Sequence, residues 1–202
     1  MPLTPLRSHP RPQAEVPALP VLGERFRRFL AELDRREGYV AGHSVAVCRL
    51  ALRVARRFEV GEGELSALAF GALLHDIGKV FIDSRLLGKE GPLTEAEAET
   101  IRLHPALGEA LLAGSVPEGT ALEVVRSHHE RWDGDGYPDG LGGEAIPLAA
   151  RIVAAADAFV AMGETRAYRR ALAHGEALAE LERLAGSQFD PACAAALLEA
   201  VG

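Results

Sequence analysis

Two stretches of this chain gather groups that bind cations: "HDIGK" at 75–79 and "HHERWDGDGYPDGLGG" at 128–143. A neutral imidazole gives a metal one nitrogen. A carboxylate has two oxygens, so the adjacent pair His75 and Asp76 can serve two cations at once. His43, His104, His128 and His129 sit in similar settings, within or at the end of a predicted helix and mostly beside apolar residues. Asp157 interrupts the apolar run "ARIVAAADAFVAM". A lone carboxylate buried in such a helix is costly unless a cation or strong hydrogen bonds meet it. Any one of these residues alone reads as a hydrogen-bonded core group or a cap. Together, in a small apolar chain, they point to one metal centre.

The elements that must position these groups read as helices. Val47, Leu50, Val54 and Phe58 form the stripe of a helix over about 40–59, and His43 lies on that stripe one turn earlier. A helix over about 64–76 buries Leu65, Leu68, Ala69 and Ala72 and carries His75 and Asp76 at its end, with Gly78 as its stop. After an irregular stretch at 80–93, "TEAE" at 94–97 is a capping box that starts the helix leading to His104. Pro105 marks a kink or a new helical start. Leu122, Val124 and Val125 begin a helix that ends at His128 and His129. Consecutive helical side chains diverge by about 100°, so that end must turn if both rings are to reach one site. Pro147 opens the helix of Asp157 as a first helical residue. Two more helices follow, over about 175–185 and 191–201. An amphipathic pattern in Phe26, Phe29, Leu30 and Leu33 predicts a helix near the start, and residues 1–20, with six prolines, read as a disordered leader. The fold class is all-α, one domain over 21–202.

Composition supports this and excludes some functions. Hydrophobic residues make up 48% of the 202 and aromatics 5%, so Ala and Leu, strong helix formers, supply most of the packing. A formal net charge of −7 argues against a duplex nucleic-acid surface, which gathers basic groups. "TRAYRR" at 165–170 is a local basic cluster that can meet a small phosphorylated ligand. No apolar run reaches the length of a membrane span. Cys48 and Cys193 read as buried free thiols in a reducing, cytoplasmic setting. Oligomeric state stays open.

The order His43, "HDIGK", His104, "HHE" at 128–130, "DGDGYP" at 133–138 and Asp157 resembles the HD-GYP family, a branch of the HD metal-dependent phosphohydrolases. The likeness covers about 38–200 and extends to "RAYR" at 166–169 and "FDP" at 189–191. It implies an HD-domain helical bundle with a Gly-rich loop, two divalent ions (iron or manganese), and hydrolysis of cyclic di-GMP to pGpG or GMP. His43, His75, Asp76 and Asp157 would hold one ion. Asp76 would bridge to a second, completed by His104, His128 and His129. Members with a third metal carry a Glu where this chain has Tyr39, with Glu37 nearby, so the two-metal kind is implied. Such a pair brings the pKa of water from about 16 toward 7, so a bridging hydroxide can attack the phosphorus in line with the leaving oxygen.

Lys79 is placed to offset charge on the phosphoryl oxygens, beside Asp76 as a catalytic group. Arg166 and Arg169, three apart, offer planar forks to the diester. Gly136 and Tyr137 are expected near the ligand, and the family's loop is also linked to contacts with a regulatory protein partner. Glu130 and Asp133 are expected to fix the loop or orient histidines. Phe81, Asp83, Val160 and Ala167 depart from the family's usual residues, glycine, proline, an acid and proline respectively. These departures bear on substrate fit, with Phe81 narrowing the mouth. Two other readings keep part of this picture: an HD hydrolase acting on another cyclic dinucleotide or nucleotide, and a module that binds cyclic di-GMP without hydrolysing it.

Overall fold

A computed structural model describes residues 40–116, 119–165 and 170–202, with a few positions between 23 and 35. The predicted leader, the four apolar residues of the first predicted helix, Glu37, Tyr39, Arg166, Ala167 and Arg169 lie outside the described residues. The described helices are α1 (Val40–Ala55), α2 (Glu62–Leu74), α3 (Ser84–Leu87), α4 (Glu95–Arg102), α5 (His104–Leu112), α6 (Thr120–Ser127), α7 (Leu148–Met162), α8 (His174–Leu184) and α9 (Pro191–Val201). Short 3-10 helices run over Ile77–Phe81 and Gly143–Ala145. Among the described residues there is no strand, only an isolated bridge between Ala185 and Phe189.

The centre of the bundle is α2, whose buried residues run almost all round it: Leu65, Leu68, Ala69, Ala72, Leu73 and Leu74. A helix apolar on every side must be enclosed, and α1 and α6 enclose it. α7 closes the other side of α1 and α6, with α9 against α1 and α7. Val47, Leu50 and Val54 of α1 are buried as their spacing requires, and His43 on the same stripe is 3% exposed. The capping box at Thr94 is present: its Oγ1 accepts from Glu97 N, and Thr94 N donates to the Glu97 carboxylate at 2.7 Å.

Element ends differ from the sequence reading in four places, the first being α1, which stops at Ala55 and leaves Phe58 beyond the helix. α2 stops at Leu74, so His75 caps the helix and Asp76 stands at the junction with the 3-10 helix. The stretch at 80–93 is not wholly irregular, since it contains the end of that 3-10 helix and α3. Pro147 precedes α7 as its N-cap rather than standing inside it. Pro105 does mark a new start, in the first turn of α5.

Gly78 does not end α2, which stops at Leu74, but lies inside the 3-10 helix that follows. A Cβ there would lie 2.0 Å from the His104 carbonyl oxygen and 2.6 Å from Gly108 N. The glycine therefore lets the 3-10 helix press directly on the backbone of α5, which brings Asp76 up to His104. Gly78→Ala is expected to force these two segments apart. The expected cost is about 1–3 kcal/mol of stability, with weakened cation binding, read by thermal denaturation and by Mn²⁺ titration.

Candidate metal centre

Five imidazoles and two carboxylates converge from α1, the α2 end, the start of α5, the α6 end and α7. They form two clusters, one of His43, His75 and Asp157 and one of Asp76, His104, His128 and His129, with the donor atoms of each within 4.8 Å of one another. Asp76 faces both. Its Oδ2 lies 3.4 Å from His75 Nε2, and its Oδ1 lies 3.2 Å from His104 Nε2 and 3.9 Å from His128 Nε2.

The ring nitrogens are set by their outer contacts. His75, His104 and His128 each direct Nδ1 at the carbonyl three residues earlier, Ala72, Ile101 and Val125, at 2.8, 2.9 and 2.9 Å. A carbonyl only accepts, so Nδ1 carries the proton and a neutral ring has its lone pair on Nε2. Those lone pairs point inward. His104 Nε2 and His128 Nε2 face each other at 3.3 Å, an arrangement in which neither neutral ring can donate. His75 Nε2 is buried without a hydrogen-bond partner. A cation between such nitrogens resolves the conflict, and the nitrogen-and-oxygen donor set suits a divalent one.

The electrostatics divide the centre. Burial lowers the pKa of His128 far below its usual value, and lowers that of His129 to about 3, with the neighbouring histidines adding to the effect. These rings stay neutral and available as donors. Around His75, burial opposes protonation, but the Asp76 and Asp157 carboxylates outweigh it and raise the pKa to about 9. The same carboxylates that attract a proton there attract a metal cation. Asp76 itself is held far below the usual carboxylate range, because Lys79 and His75 outweigh the cost of its burial.

The α6 helix ends at Ser127, and His128 and His129 lie in the turn that follows. Their rings meet at 4.2 Å between centroids, so the turn brings both to one cluster. Tyr137 stacks on His129 at 4.8 Å with an interplanar angle of 24°, and its N–H donates to the His129 carbonyl at 3.2 Å. Gly136 is needed by the protein's own main chain, since a Cβ there would lie 2.4 Å from Arg131 N and 2.5 Å from Glu130 Cα. Lys79 extends from the 3-10 helix to Asp76 Oδ2 at 2.7 Å. A cavity of about 110 Å³ is lined in part by His128, His129 and Asp157, residues of both clusters.

Residues 25–193 match the family model described as HD domain. This chain belongs to the HD domain family. Within it, the HD-GYP branch is the one to which its relatives and motifs assign it. The chain is 44% identical over 183 residues to the cyclic di-GMP phosphodiesterase response regulator RpfG of Xanthomonas campestris pv. campestris, an alignment that covers 87% of this chain and 48% of that protein. It is 38% identical over 169 residues to the 3'3'-cGAMP-specific phosphodiesterase 3 of Vibrio cholerae, covering 84% of this chain and 37% of that protein. The chain thus spans less than half the length of these curated relatives. A solved HDG"Y"P protein of Bdellovibrio bacteriovorus superposes with a TM-score of 0.65 at 20% identity, covering 79% of this chain and 51% of that one, and so shares the fold.

Among the described residues, not every candidate enters this centre. Arg166 and Arg169 lie outside the described residues. Asp133 pairs with Arg131 at 2.5 Å. Phe81 is 56% exposed, two residues beyond Lys79. Val160 is half-buried against the core. Glu130 is buried and accepts from Asp139 N at 2.7 Å and Leu141 N at 3.0 Å, fixing the loop directly after the histidine pair. Glu130→Ala is expected to cost about 1–3 kcal/mol, as two amides lose a charged acceptor, and to raise proteolytic cleavage within 131–147, measured by limited digestion. One residue touching the centre has no counterpart in the sequence reading: Glu164, whose carboxylate lies 3.0 and 3.1 Å from His43 Nδ1.

Proposed function

We propose that this chain is a metal-dependent phosphodiesterase that opens a cyclic dinucleotide, with cyclic di-GMP as the preferred substrate and pGpG or GMP as product. The observation that carries this reading is Asp76, which presents one oxygen to each of two donor clusters. The name of the 44%-identical relative supports cyclic di-GMP. We assign His43, His75 and Asp157 to one divalent ion and His104, His128 and His129 to a second, with Asp76 shared.

When bound, two such ions would supply positive charge for the phosphoryl oxygens and make water acidic enough to act as a nucleophile near neutral pH. The chain's own residues do the rest. Asp76, kept ionised, holds the two clusters in register. The Lys79 ammonium, within 2.7 Å of Asp76, is placed beside the reacting phosphate to offset its growing charge. Arg166 and Arg169 are assigned to the diester's non-bridging oxygens. Tyr137, stacked on His129, borders the substrate and holds that ring in place. Imidazole and carboxylate donors without a thiolate suit iron or manganese. No helix among the described residues is long and apolar enough to cross a membrane. A cytoplasmic setting is part of the proposal, supported by the free, buried thiols Cys48 and Cys193.

A second substrate has its own support: the relative at 38% identity is named for 3'3'-cGAMP. The deciding experiment is product analysis with cyclic di-GMP, 3'3'-cGAMP and a linear dinucleotide, on anaerobically purified protein supplied with Mn²⁺ or Fe²⁺. The preferred reading expects the highest kcat/KM on cyclic di-GMP. Faster cleavage of 3'3'-cGAMP would transfer the assignment, and binding without any cleavage would make the chain a receptor.

A further inference from the structure

Four of the five histidines, His43, His75, His104 and His128, differ in what holds their outer nitrogen. His75, His104 and His128 each use a carbonyl three residues earlier, a neutral acceptor supplied by the local helix. His43 instead directs Nδ1 at the Glu164 carboxylate, at 3.0 and 3.1 Å, while its Nε2 lies 2.8 Å from Asp157 Oδ1. The ring is buried, with its side chain 2% exposed, and Glu164 is 27% exposed. Both carboxylates come from one segment: Asp157 from within α7, and Glu164 just past its end at Met162. The resemblance to HD-GYP proteins expects an acid at 160, and Val160 offers none.

We infer that Glu164 is the positioning residue for His43 and sets the cation affinity of the His43–His75–Asp157 cluster alone. This rests on the metal-centre reading above. A neutral imidazole has one N–H and one lone pair. When a cation rather than a proton is shared between Nε2 and Asp157, Glu164 accepting from Nδ1 leaves the ring's one lone pair on Nε2, the nitrogen that faces the cluster. Swapping the tautomer would turn an N–H toward the cluster and remove a ligand. The carboxylate also makes the ring more basic, as partners of metal-binding histidines do. The other cluster gains nothing from it, since its His104 and His128 nitrogens have their own carbonyl acceptors.

The test is Mn²⁺ titration of metal-free wild type, E164A and E164Q by calorimetry and EPR, with Glu199→Ala as a surface control. Wild type is expected to hold two ions per chain. E164A is expected to lose about 10- to 100-fold affinity at one of them and keep the other unchanged. E164Q retains an oxygen to accept from Nδ1 and is expected to restore affinity to within about tenfold of wild type. If E164A does not fold, E164K replaces it: a lysine donates rather than accepts and must force the wrong tautomer. Wild-type affinity at both sites in E164A or E164K overturns the inference, as does equal weakening of both sites. A wild-type chain that binds no Mn²⁺ overturns the metal-centre reading instead.

Discussion

Replacing Asp76 by alanine is expected to lower kcat/KM on cyclic di-GMP by at least about a thousandfold, or about 4 kcal/mol of activation free energy. The magnitude follows from its position. One Asp76 oxygen lies 3.4 Å from His75 of the first cluster, and the other lies 3.2 Å from His104 of the second. Removing it takes an acceptor and a charge from both clusters together, so bound Mn²⁺ is expected to fall with turnover. The variant also leaves the Lys79 ammonium without the carboxylate it meets at 2.7 Å. Breaking one side of a buried pair costs about 3–5 kcal/mol, so the assay is run below the melting temperature of the metal-free variant. Lys79→Ala separates the roles, because Lys79 donates no metal ligand. It is expected to keep both ions while losing about a hundredfold in kcat. Unchanged hydrolysis by Asp76→Ala would sink the enzymatic reading.

Much of this centre was legible because its donors obey helix spacing and sit where a polar group is costly to bury alone. His43 falls on the α1 stripe, and Asp157 interrupts an apolar helix where an unpaired acid is unfavourable. What stayed hidden depends on contacts between segments. Gly78 reads in sequence as a helix stop, but its necessity comes from the His104 carbonyl, 26 positions away, pressing on the place a Cβ would occupy. Gly136 reads as a site of ligand approach, yet the backbone nearest it is that of Glu130 and Arg131. Glu164 was invisible for another reason. It lies past the end of α7, is partly exposed and belongs to no periodic pattern, so only the location of His43 Nδ1 gives it meaning. The short helices α3 and Ile77–Phe81 were missed because each is too brief for a hydrophobic period to register.

Adding Mn²⁺ to metal-free protein is expected to raise its melting temperature by about 10–20 °C. At a hundredfold excess over Kd, one site stabilises the native state by about 2.7 kcal/mol, and two independent sites by about 5 kcal/mol. A chain of this length gains about 2–4 °C per kcal/mol. The size of the effect has a local cause. Without a cation, His104 Nε2 and His128 Nε2 stand 3.3 Å apart with their protons committed to carbonyls on the far side. His75 Nε2 is meanwhile buried without a hydrogen bond, facing the Asp76 and Asp157 carboxylates that favour a proton or a metal ion there. The fold therefore carries this polar conflict at its centre until positive charge arrives, and stability should depend on metal more than on any surface ion pair. Scanning calorimetry in EDTA and in Mn²⁺ measures it directly. His104→Ala is expected to lose about half of the shift, since it strips one cluster and leaves the donors of the other. Coincident melts in EDTA and Mn²⁺ would mean that the inward-facing nitrogens hold no metal.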